Sequence, residues 1–327
     1  MQAAPRETPE ILILDGLRPE VVDDLSVRFH AHCVAAGECD AVLAQVGPRI
    51  RGVASSAHAS VDGALFDRLP RLEIVSNFGV GYDNVDVHEA ARRGILVTNT
   101  PDVLSDEVAD LALGLLLATV RRIPQADRFL REGHWPTRNY PLTATLRERR
   151  VGILGLGRIG RAIAARLEGF RVEIHYHGRR RYEGVPYAFH DTLTGMAHAI
   201  DVLIVAAPGG PETRGIVDAG VLEALGPEGI VMNIARGSLI DEPALIQALR
   251  SGRLHGAGLD VFASEPHVPA ALVALDNVVL LPHVGSGSVH TRRMMAKLLI
   301  DNMTSWFSGK GPLTPVPETP TPRSGRP

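Results

Sequence analysis

The sequence predicts an α/β protein built from two doubly wound parallel sheets. Short apolar runs that suit buried strands alternate with longer segments that suit helices along most of the chain. The chain has 327 residues, which exceeds a typical single domain and favours two. A glycine-rich turn joins an apolar strand to a helix near the middle of the chain. Ligands of such sheets bind beyond the carboxyl ends of the strands, so functional residues are expected there.

Composition and charge exclude several functional classes. At 45% hydrophobic and 22% charged residues, with a net charge of -3, the chain lacks the basic excess of proteins that bind nucleic acid or anionic membranes. The longest apolar run, residues 111–120, is too short to span a bilayer, and the N-terminus lacks a signal-peptide core. Cys33 and Cys39 are accompanied by no histidine pair at zinc spacing. We therefore expect a reduced, cytoplasmic protein without a metal.

The first hundred residues predict one parallel sheet. Its expected strands are short apolar runs, each followed by a turn or a helix-compatible segment. The runs are residues 11–14, 41–44, 52–56, 72–76 and 95–99. The ends of the third and fourth runs, Ser55–Ser56 and residues 78–81, are the places where this sheet would meet a ligand.

A helix and a polar excursion connect the two predicted sheets. Ser105 can cap a helix whose first turn holds Asp106 and Glu107, both favourable at the positive end of a helix dipole. One face of this helix is formed, at helical spacing, by Val108, Leu111, Ala112, Leu115 and Thr119. The polar stretch that follows, residues 128–149, contains Trp135 and is long enough to pack on something else, such as a second subunit.

The glycine-rich turn predicts a dinucleotide site. An apolar run from Val151 leads into Gly-x-Gly-x-x-Gly at Gly155, Gly157 and Gly160, and a helix-compatible run follows. The first glycine allows a sharp turn, the second leaves no Cβ between the backbone and a pyrophosphate, and the third lets the helix pack closely on the strand. The phosphates would then bind the amide donors at the helix N-terminus.

The next strand, residues 172–176, indicates which dinucleotide binds. An NAD enzyme normally places Asp or Glu after this strand to bind the ribose 2′-hydroxyl. Here the strand is followed by His177, Gly178 and then three arginines, Arg179 to Arg181. Guanidinium groups suit a 2′-phosphate, which a carboxylate would repel. The run therefore favours NADP(H), although a solvated basic turn would have the same composition.

The remaining segments complete the second sheet and end the chain. Further strands are predicted at residues 201–207, 229–235, 255–260 and 278–281. A terminal helix is expected at about residues 291–307. The tail from about residue 309 is rich in Pro, Thr and Gly, and its composition predicts disorder.

Three ionisable residues, Arg236, Glu265 and His283, follow strands of the second sheet. Each has an ordinary structural interpretation by itself: a surface ion pair, a solvated loop acid, or one of 13 histidines. Together they form a plausible catalytic set. Histidine transfers protons near neutral pH, a neighbouring carboxylate orients the imidazole, and an arginine fork binds a substrate carboxylate.

Six sequence segments, taken in their order along the chain, resemble those of a known family. They are residues 77–86 (NFGVGYDNVD), 155–160 (GLGRIG), 233–237 (NIARG), 258–262 (GLDVF), 265–266 (EP) and 282–286 (PHVGS). In this order and spacing they look like the D-isomer-specific 2-hydroxyacid dehydrogenases, over about residues 10–307. Residues 101–110 (PDVLSDEVAD) and the arginines after residue 178 look most like the glyoxylate/hydroxypyruvate reductase branch, which includes plant-type hydroxyphenylpyruvate reductases.

The resemblance implies a domain organisation. A Rossmann NADP-binding domain, residues 101–287, would be inserted in a flavodoxin-like substrate-binding domain formed by residues 1–100 and 288–327. The active site would be the cleft between the two domains, whose closure would exclude water. Family members are commonly dimers formed through the nucleotide domain, which implies a homodimer and would suit the Trp135 excursion.

The resemblance also implies a reaction of EC class 1.1.1. Hydride passes from the nicotinamide to C2 of a 2-oxo acid, and protonated His283 gives a proton to the developing alkoxide. Glu265 pairs with His283, and Arg236 binds the carboxylate and carbonyl oxygen of the substrate. The backbone amides of Val80 and Gly81 would hold the substrate carboxylate from the other domain. The implied cofactor is NADPH, with NADH weaker.

Further site residues follow from the matching positions. The expected cofactor contacts lie in the glycine turn and in loops at the carboxyl ends of the strands. They are Gly155, Leu156, Gly157, Arg158, Ile159, Gly160, Gly178, Arg179, Arg180, Ala207, Pro208, Thr213, Ile234, Ala235, Asp260 and Gly285. Ser55 is expected to bind substrate, and Ser56, Phe78 and Trp135 are candidates for the substrate pocket.

Two alternatives to a small-substrate reductase stay open at this stage. One is a reductase of larger 2-oxo acids such as hydroxyphenylpyruvate. The other is a nucleotide-sensing binding protein on the same fold, which the full set of Arg236, Glu265 and His283 disfavours. The sequence departs from many NADP-using relatives at Gly178, where they carry a small polar side chain. Recognition of the phosphate would then fall to Arg179 and Arg180.

Overall fold

The computed structural model describes residues 8–34, 39–56 and 59–319. The chain divides into two compact units. The first unit comprises Met1–Leu104 and Val289–Pro327, and the second comprises Ser105–Ser288. Each is an α/β unit with its own parallel sheet.

The first unit has the strand order of a flavodoxin-like sheet. Its described strands are β1 (Glu10–Leu14), β2 (His30–Val34), β3 (Ile50–Ser56), β4 (Ile74–Phe78) and β5 (Leu96–Thr98). Its described helices are α1 (Pro19–Arg28), α2 (Cys39–Val46), α3 (Gly63–Asp67), α4 (Val87–Arg92) and the terminal helix, which is numbered last. These strands pair in parallel in the order β2-β1-β3-β4-β5, which confirms the predicted fold of this unit.

One predicted strand of the first sheet is wrong. Residues 41–44 lie inside the helix α2, and the strand that lies beside β1 is β2, with the sequence His-Ala-His-Cys-Val. A run of four apolar residues fits a buried helix face as well as a strand. β2 was not predicted, because an edge strand with largely exposed side chains does not need an apolar run in its sequence.

The second unit has the predicted Rossmann order with one added strand. Its described strands are β6 (Arg150–Leu154), β7 (Glu173–His177), β8 (Ala188–His190), β9 (Val202–Val205), β10 (Ile230–Asn233), β11 (Gly256–Leu259) and β12 (Val278–Leu280). They pair in parallel in the order β12-β11-β10-β9-β6-β7-β8. β8 was not predicted, because this short strand has side chains that are all at least partly exposed and therefore shows no apolar run.

Helices alternate with these strands. They are α5 (Ser105–Val120), α6 (Ile123–Arg131), α7 (Arg158–Glu168), α8 (Leu193–Ala199), α9 (Ala219–Leu225), α10 (Glu242–Arg250) and α11 (Ala270–Val273). The chain then returns to the first unit through α12 (Val289–Phe307). Every residue of β9, β10 and β11 is buried, because both faces of a parallel sheet are covered. This burial fixes the strand ends that carry the candidate site.

The segment after α12 is ordered up to residue 319, so the predicted disorder from residue 309 is wrong for this part. Asn302, fully buried on α12, accepts hydrogen bonds from the backbone amides of Leu313 and Thr314. Val316 then donates its amide to the carbonyl of Val97 on β5. Composition rich in Pro and Thr resembles a linker, but this segment is held by hydrogen bonds to α12 and β5. Residues 320–327 lie outside the described part.

No helix among the described residues has both the length and the apolar character needed to cross a bilayer.

Candidate active site

The turn between β6 and α7 has the backbone that the glycine pattern requires. Gly155 has a φ of 94°, and a Cβ there would lie 2.7 Å from the backbone of Ala207. A Cβ on Gly160 would lie 2.1 Å from the carbonyl oxygen of Gly155. A Cβ on Gly157 would meet no atom within 4 Å. Close packing therefore requires two of the glycines, and the third keeps the surface before the helix open.

The first turn of α7 offers backbone amides to an anion. The helix begins at Arg158, and its N-cap residue, Gly157, has no side chain that could accept the amide hydrogen bonds. Leu156 is buried below the turn, and Arg158 is exposed at its surface. An open backbone at the N-terminus of a helix is the arrangement in which proteins bind the pyrophosphate of a dinucleotide.

The loop after β7 holds its arginines beside an aromatic ring. The guanidinium carbon of Arg180 lies 5.2 Å from the ring centre of Tyr182, and that of Arg161 on α7 lies 4.6 Å from the same centre. The amide of Tyr182 donates to the hydroxyl of buried Tyr176, 2.9 Å away. Arg179 is exposed in the same loop. The loop therefore concentrates positive charge at the end of β7, and Tyr182 ties it to the sheet.

Further predicted cofactor residues lie in the loops after β7, β9 and β10, at the same edge of the sheet. Gly178 follows β7, and a Cβ there would have open space. In the loop after β9, the hydroxyl of Thr213 donates to the carbonyl of Pro208 at 2.8 Å, which closes the loop. Ala207 in this loop and Ile234 after β10 are both buried.

The loop after β10 positions Arg236. The side chain of buried Asn233 accepts from the amide of Ala235 and donates to the carbonyl of Arg236, at 3.1 and 2.9 Å. A Cβ on Gly237 would lie 1.9 Å from the carbonyl carbon of Phe262, so only glycine fits there. Arg236 is half-buried, and its Nη1 donates to the carbonyl of Ala235 at 2.8 Å. The close contact at Gly237 therefore brings the loop that carries Arg236 against the segment that carries Glu265.

Glu265 and His283 form a close pair. Nδ1 of His283 lies 2.6 Å from Oε2 of Glu265, and the other carboxylate oxygen accepts from the amide of Phe262 at 2.9 Å. The side chains are 31% and 20% exposed, so both remain partly accessible. His283 has a φ of 52°, in the left-handed region, which is uncommon for a residue with a side chain. Such strain is often found at functional sites.

Buried Asp260 holds the backbone around His283. Its two carboxylate oxygens accept from the amides of Val284 and Gly285, each at 2.8 Å, and its carbonyl accepts from the amide of His283. Burial raises the pKa of the Asp260 carboxyl; the amides of Val284 and Gly285 and the nearby His283 oppose this shift, whereas Glu265 adds to it. Asp260 is therefore placed to shape the loop that presents His283.

The three candidate catalytic residues thus lie at one edge of one sheet. β10, β11 and β12 are neighbours in the sheet, and Arg236, Asp260 and His283 follow their carboxyl ends in turn. Glu265 lies in the loop after β11 and reaches His283. The set combines a fixed cation with a carboxylate-paired imidazole. It can bind a carboxylate and transfer a proton at the same place.

In the first unit, the predicted substrate residues form a hydrogen-bonded loop after β4. The side chain of Asn77 donates to the carbonyl of Gly81 at 3.0 Å, and Asn99 donates to the carbonyl of Val80 at 2.9 Å. Ser55 is fully buried, and its hydroxyl donates to Oδ1 of Asn77 at 3.1 Å. This burial argues against direct contact between Ser55 and the substrate, and the role of Ser55 stays a prediction. The substrate role of Val80 and Gly81 stays a prediction.

The remaining pocket candidates differ in exposure. Phe78 is buried, with the guanidinium of Arg292 5.6 Å from its ring centre. Ser56 is also buried, and its hydroxyl donates to the carbonyl of Asp15. Trp135 is 64% exposed in the segment after α6. Burial therefore argues against direct substrate contact by Phe78 and Ser56, and leaves Trp135 available for contact with another molecule.

Sequence reasoning missed the residues that hold the site loops in shape. Asn77 and Asn233 lie at the carboxyl ends of β4 and β10, as the last residue but one and the last residue, and close the next turn through their side chains. Tyr182 anchors the arginine loop. For the two asparagines a signal exists, since an amide side chain at a strand end can replace the missing backbone partners of a turn. The role of Tyr182 depends on Tyr176, which no local pattern indicates.

Comparison with known proteins identifies the family. Residues 113–285, more than half of the chain, match the model of the NAD binding domain of D-isomer specific 2-hydroxyacid dehydrogenases. The chain belongs to this family. Membership makes it a nicotinamide-dependent oxidoreductase, and it confirms the family that the sequence motifs predict.

Similar proteins also place this dehydrogenase within the family. It is 51% identical over 267 residues to glyoxylate/hydroxypyruvate reductase A of Arabidopsis thaliana, covering 82% of this chain and 85% of the relative. It is 50% identical over 274 residues to hydroxyphenylpyruvate reductase of Plectranthus scutellarioides, covering 84% and 88%. These similarities confirm the predicted glyoxylate/hydroxypyruvate reductase branch.

A solved structure agrees with both units of this dehydrogenase. The NADPH-dependent glyoxylate/hydroxypyruvate reductase of Sinorhizobium meliloti, crystallised with NADP and malonate, is 50% identical with a TM-score of 0.92. The match covers 98% of this chain and all of the other. The likeness extends over the whole fold.

Proposed function

We propose that this dehydrogenase reduces small 2-oxo acids, glyoxylate and hydroxypyruvate, to D-2-hydroxy acids with NADPH. The observation that carries the proposal is the His283–Glu265 pair, held beside Arg236 at the edge of the sheet that also bears the glycine turn. A binding protein that only senses nucleotide has no need of an imidazole paired at 2.6 Å with a carboxylate. The names of the similar proteins support the same reaction class.

Each residue of the candidate site has its own role in the proposed reaction. When bound, NADPH supplies the hydride that reduces C2 of the 2-oxo acid. Glu265 accepts from Nδ1 of His283, so the imidazolium presents Nε2 as its acid and donates that proton to the developing alkoxide. This contact also fixes the orientation of the imidazole ring. The guanidinium of Arg236 binds the substrate carboxylate and polarises the neighbouring carbonyl.

The residues at the glycine turn fit a dinucleotide with a 2′-phosphate. The open surface at Gly157 lies before the amides of α7, where a pyrophosphate would bind. Arg179 and Arg180 follow β7, where a 2′-phosphate would need positive charge. No acidic residue stands between β7 and these arginines.

The cofactor preference can be tested by removing two charges. Arg179→Ala combined with Arg180→Ala should raise the KM for NADPH by about 10- to 100-fold, the range for losing one or two charge-assisted hydrogen bonds, and leave the KM for NADH nearly unchanged. Arg181→Ala is the matched control, because it removes a charge from the same exposed run. An unchanged ratio of the two KM values in the double variant would refute recognition of the phosphate by this loop.

A second substrate class has a specific observation in its favour. The hydroxyphenylpyruvate reductase of Plectranthus scutellarioides is as similar to this chain as the reductases named for small substrates. An aryl 2-oxo acid would use the same His283, Glu265 and Arg236, since only the group attached to C2 differs. We therefore treat aryl pyruvates as the alternative substrates.

Steady-state kinetics on a small panel separates these possibilities. We expect a higher kcat/KM for glyoxylate and hydroxypyruvate than for 4-hydroxyphenylpyruvate, and a higher value with NADPH than with NADH. A preference for the aryl substrate would favour the alternative. If no 2-oxo acid in the panel oxidised either cofactor, while nucleotide binding persisted in a fluorescence titration, the enzymatic proposal would be wrong.

We further propose a homodimer that uses the segment around α6. Four large apolar side chains in this segment are more than half exposed: Ile123, Leu130, Trp135 and Leu142. α6 has no buried residue, although one of its faces is apolar. Contiguous exposed apolar surface is typical of a subunit interface. Light scattering should give twice the chain mass, and Trp135→Glu should shift the mass towards the monomer.

The cytoplasmic location stays a prediction.

A further inference from the structure

The amino-terminal ends of β1 and β2 carry a group of three metal-ligating side chains that the proposed reaction does not use. These are Glu10, His30 and His32, and one ligand atom of each lies within 4.8 Å of the others. Nε2 of His32 is 2.8 Å from Oε2 of Glu10, and the rings of His30 and His32 stack with centres 4.8 Å apart. Glu10 and His32 are half-buried, whereas His30 is exposed.

The strand geometry explains why the three side chains meet. Alternate residues of a strand point to the same face, so His30 and His32 share one face of β2. Glu10 is the register partner of His30 on β1. β2 is at the edge of its sheet, so this group is reachable from solvent.

The donor set suits a borderline divalent ion. Two imidazoles and one carboxylate are ligands that Zn²⁺ takes in proteins, with water completing a tetrahedral site. At metal–ligand distances of about 2.1 Å, tetrahedral ligands lie about 3.4 Å apart. The ligand atoms of the three side chains already lie within 4.8 Å of one another, which is close to this spacing.

Arg49 is the charged group that opposes a cation here. Its Nε donates to Oε1 of Glu10 at 2.7 Å, which leaves Oε2 directed to the histidines. The same contact lowers the pKa of the Glu10 carboxyl, although burial of this group acts in the opposite direction. The carboxylate is thus ionised when a metal arrives, but the neighbouring guanidinium weakens its attraction for a cation.

We propose that Glu10, His30 and His32 form a Zn²⁺ site that joins the edge strand β2 to β1. The site lies at the amino ends of these strands, whereas the substrate loop of the same unit, residues 79–81, follows the carboxyl end of β4. Its effect is therefore on the stability of the first sheet and not on the chemistry. The sequence predicts no metal on the ground that the two cysteines lack a histidine pair at zinc spacing; these three ligands come from two separate strands and form no such pattern.

Calorimetric titration of tag-free, chelator-treated protein with ZnCl₂ tests the site. We expect one ion per chain in the micromolar range and a higher thermal unfolding temperature with Zn²⁺. His30→Gln and His32→Gln should each weaken binding by at least about tenfold, the scale seen when a group that orders a metal site is lost. His88→Gln is the matched control, because it removes an exposed histidine from α4 of the same unit.

Arg49→Ala gives a test that does not depend on losing a ligand. Removing the guanidinium frees Oε1 of Glu10, so Zn²⁺ should bind several-fold more tightly. Scattered surface binding would respond to neither Arg49→Ala nor His30→Gln. The proposal is overturned if the wild type binds no Zn²⁺ in the micromolar range, or if His30→Gln and His88→Gln bind alike. Circular dichroism checks that each variant is folded.

Discussion

Replacing Glu265 by Gln removes the negative charge beside His283 and keeps the shape of the side chain. Glu265 makes two contacts: Oε2 pairs with Nδ1 of His283, and Oε1 accepts from the amide of Phe262. A glutamine carries an NH2 group, which only donates, in place of one of the two carboxylate oxygens, so in the same position it cannot accept both hydrogen bonds. The variant therefore loses the charge and one of the two contacts.

The size of the effect follows from the geometry of the pair. With the charge centres about 4 Å apart and an effective dielectric constant of about 20, the attraction is about 4 kcal/mol. Both groups are partly exposed, so we halve this to about 2 kcal/mol for screening by solvent. Since 1.36 kcal/mol corresponds to a factor of ten, losing this attraction lowers kcat by up to about 30-fold.

The assay is kcat for glyoxylate reduction at saturating NADPH. In Glu265→Gln, kcat should fall by up to about 30-fold. The NADPH dissociation constant should stay unchanged, which separates a loss of proton donation from a loss of binding.

Glu242→Gln is the matched control for this experiment. Oε2 of Glu242 accepts from the amide of Ala263 at 3.2 Å, so it contacts the same loop as Glu265 by way of a different carboxylate. Its kcat should remain within about twofold of the wild type, because surface substitutions of this kind have small effects. If Glu265→Gln behaved like this control, the charge of Glu265 would have no part in the reaction.

Three further predictions concern stability and the cofactor loop. Gly160→Ala places a Cβ 2.1 Å from the carbonyl oxygen of Gly155; denaturant unfolding should show a loss of about 1–3 kcal/mol and NADPH should bind more weakly, whereas Gly114→Ala, which meets no atom within 4 Å, should be neutral or stabilising. An Asn302→Ala variant leaves two backbone amides without their acceptor and should lose about 2–4 kcal/mol of unfolding free energy; a loss below about 1 kcal/mol would contradict the anchoring of the terminal segment. Burial lowers the pKa of His175, so the unfolded chain binds more protons at acid pH and the unfolding free energy should fall as the pH drops below about 6.5; His175→Gln should flatten this dependence, and equal slopes would contradict it.

The sequence was sufficient to predict the features that depend on the local conformation and burial of the backbone. The spacing of Gly155, Gly157 and Gly160 predicts a turn in which Cβ atoms are excluded, and the structure shows close contacts at two of the three positions. Buried strands such as β9 and β10 were equally clear, because both faces of a parallel sheet demand apolar residues.

Local patterns failed where the environment of a segment decides its structure. Residues 41–44 were predicted to form a strand, although four consecutive apolar residues suit a strand and a helix equally well. The packing of α2 is what favours the helix. The edge strand β2 carries polar residues because no second strand covers it in the described part of the sheet. Residues 309–319 look like a linker, yet the buried side chain of Asn302 supplies the partners that order them.

By itself, the sequence determined the family, the two parallel sheets, and the residue types that carry proton transfer and anion binding. Only the tertiary structure decided which of them meet. His283 and Glu265 are 18 residues apart in the sequence and come within 2.6 Å of each other. Ser55 is buried and donates a hydrogen bond to Asn77, and Glu10 is grouped with His30 and His32. Contacts of this kind depend on strand order and register, which are set by packing between segments far apart in the chain.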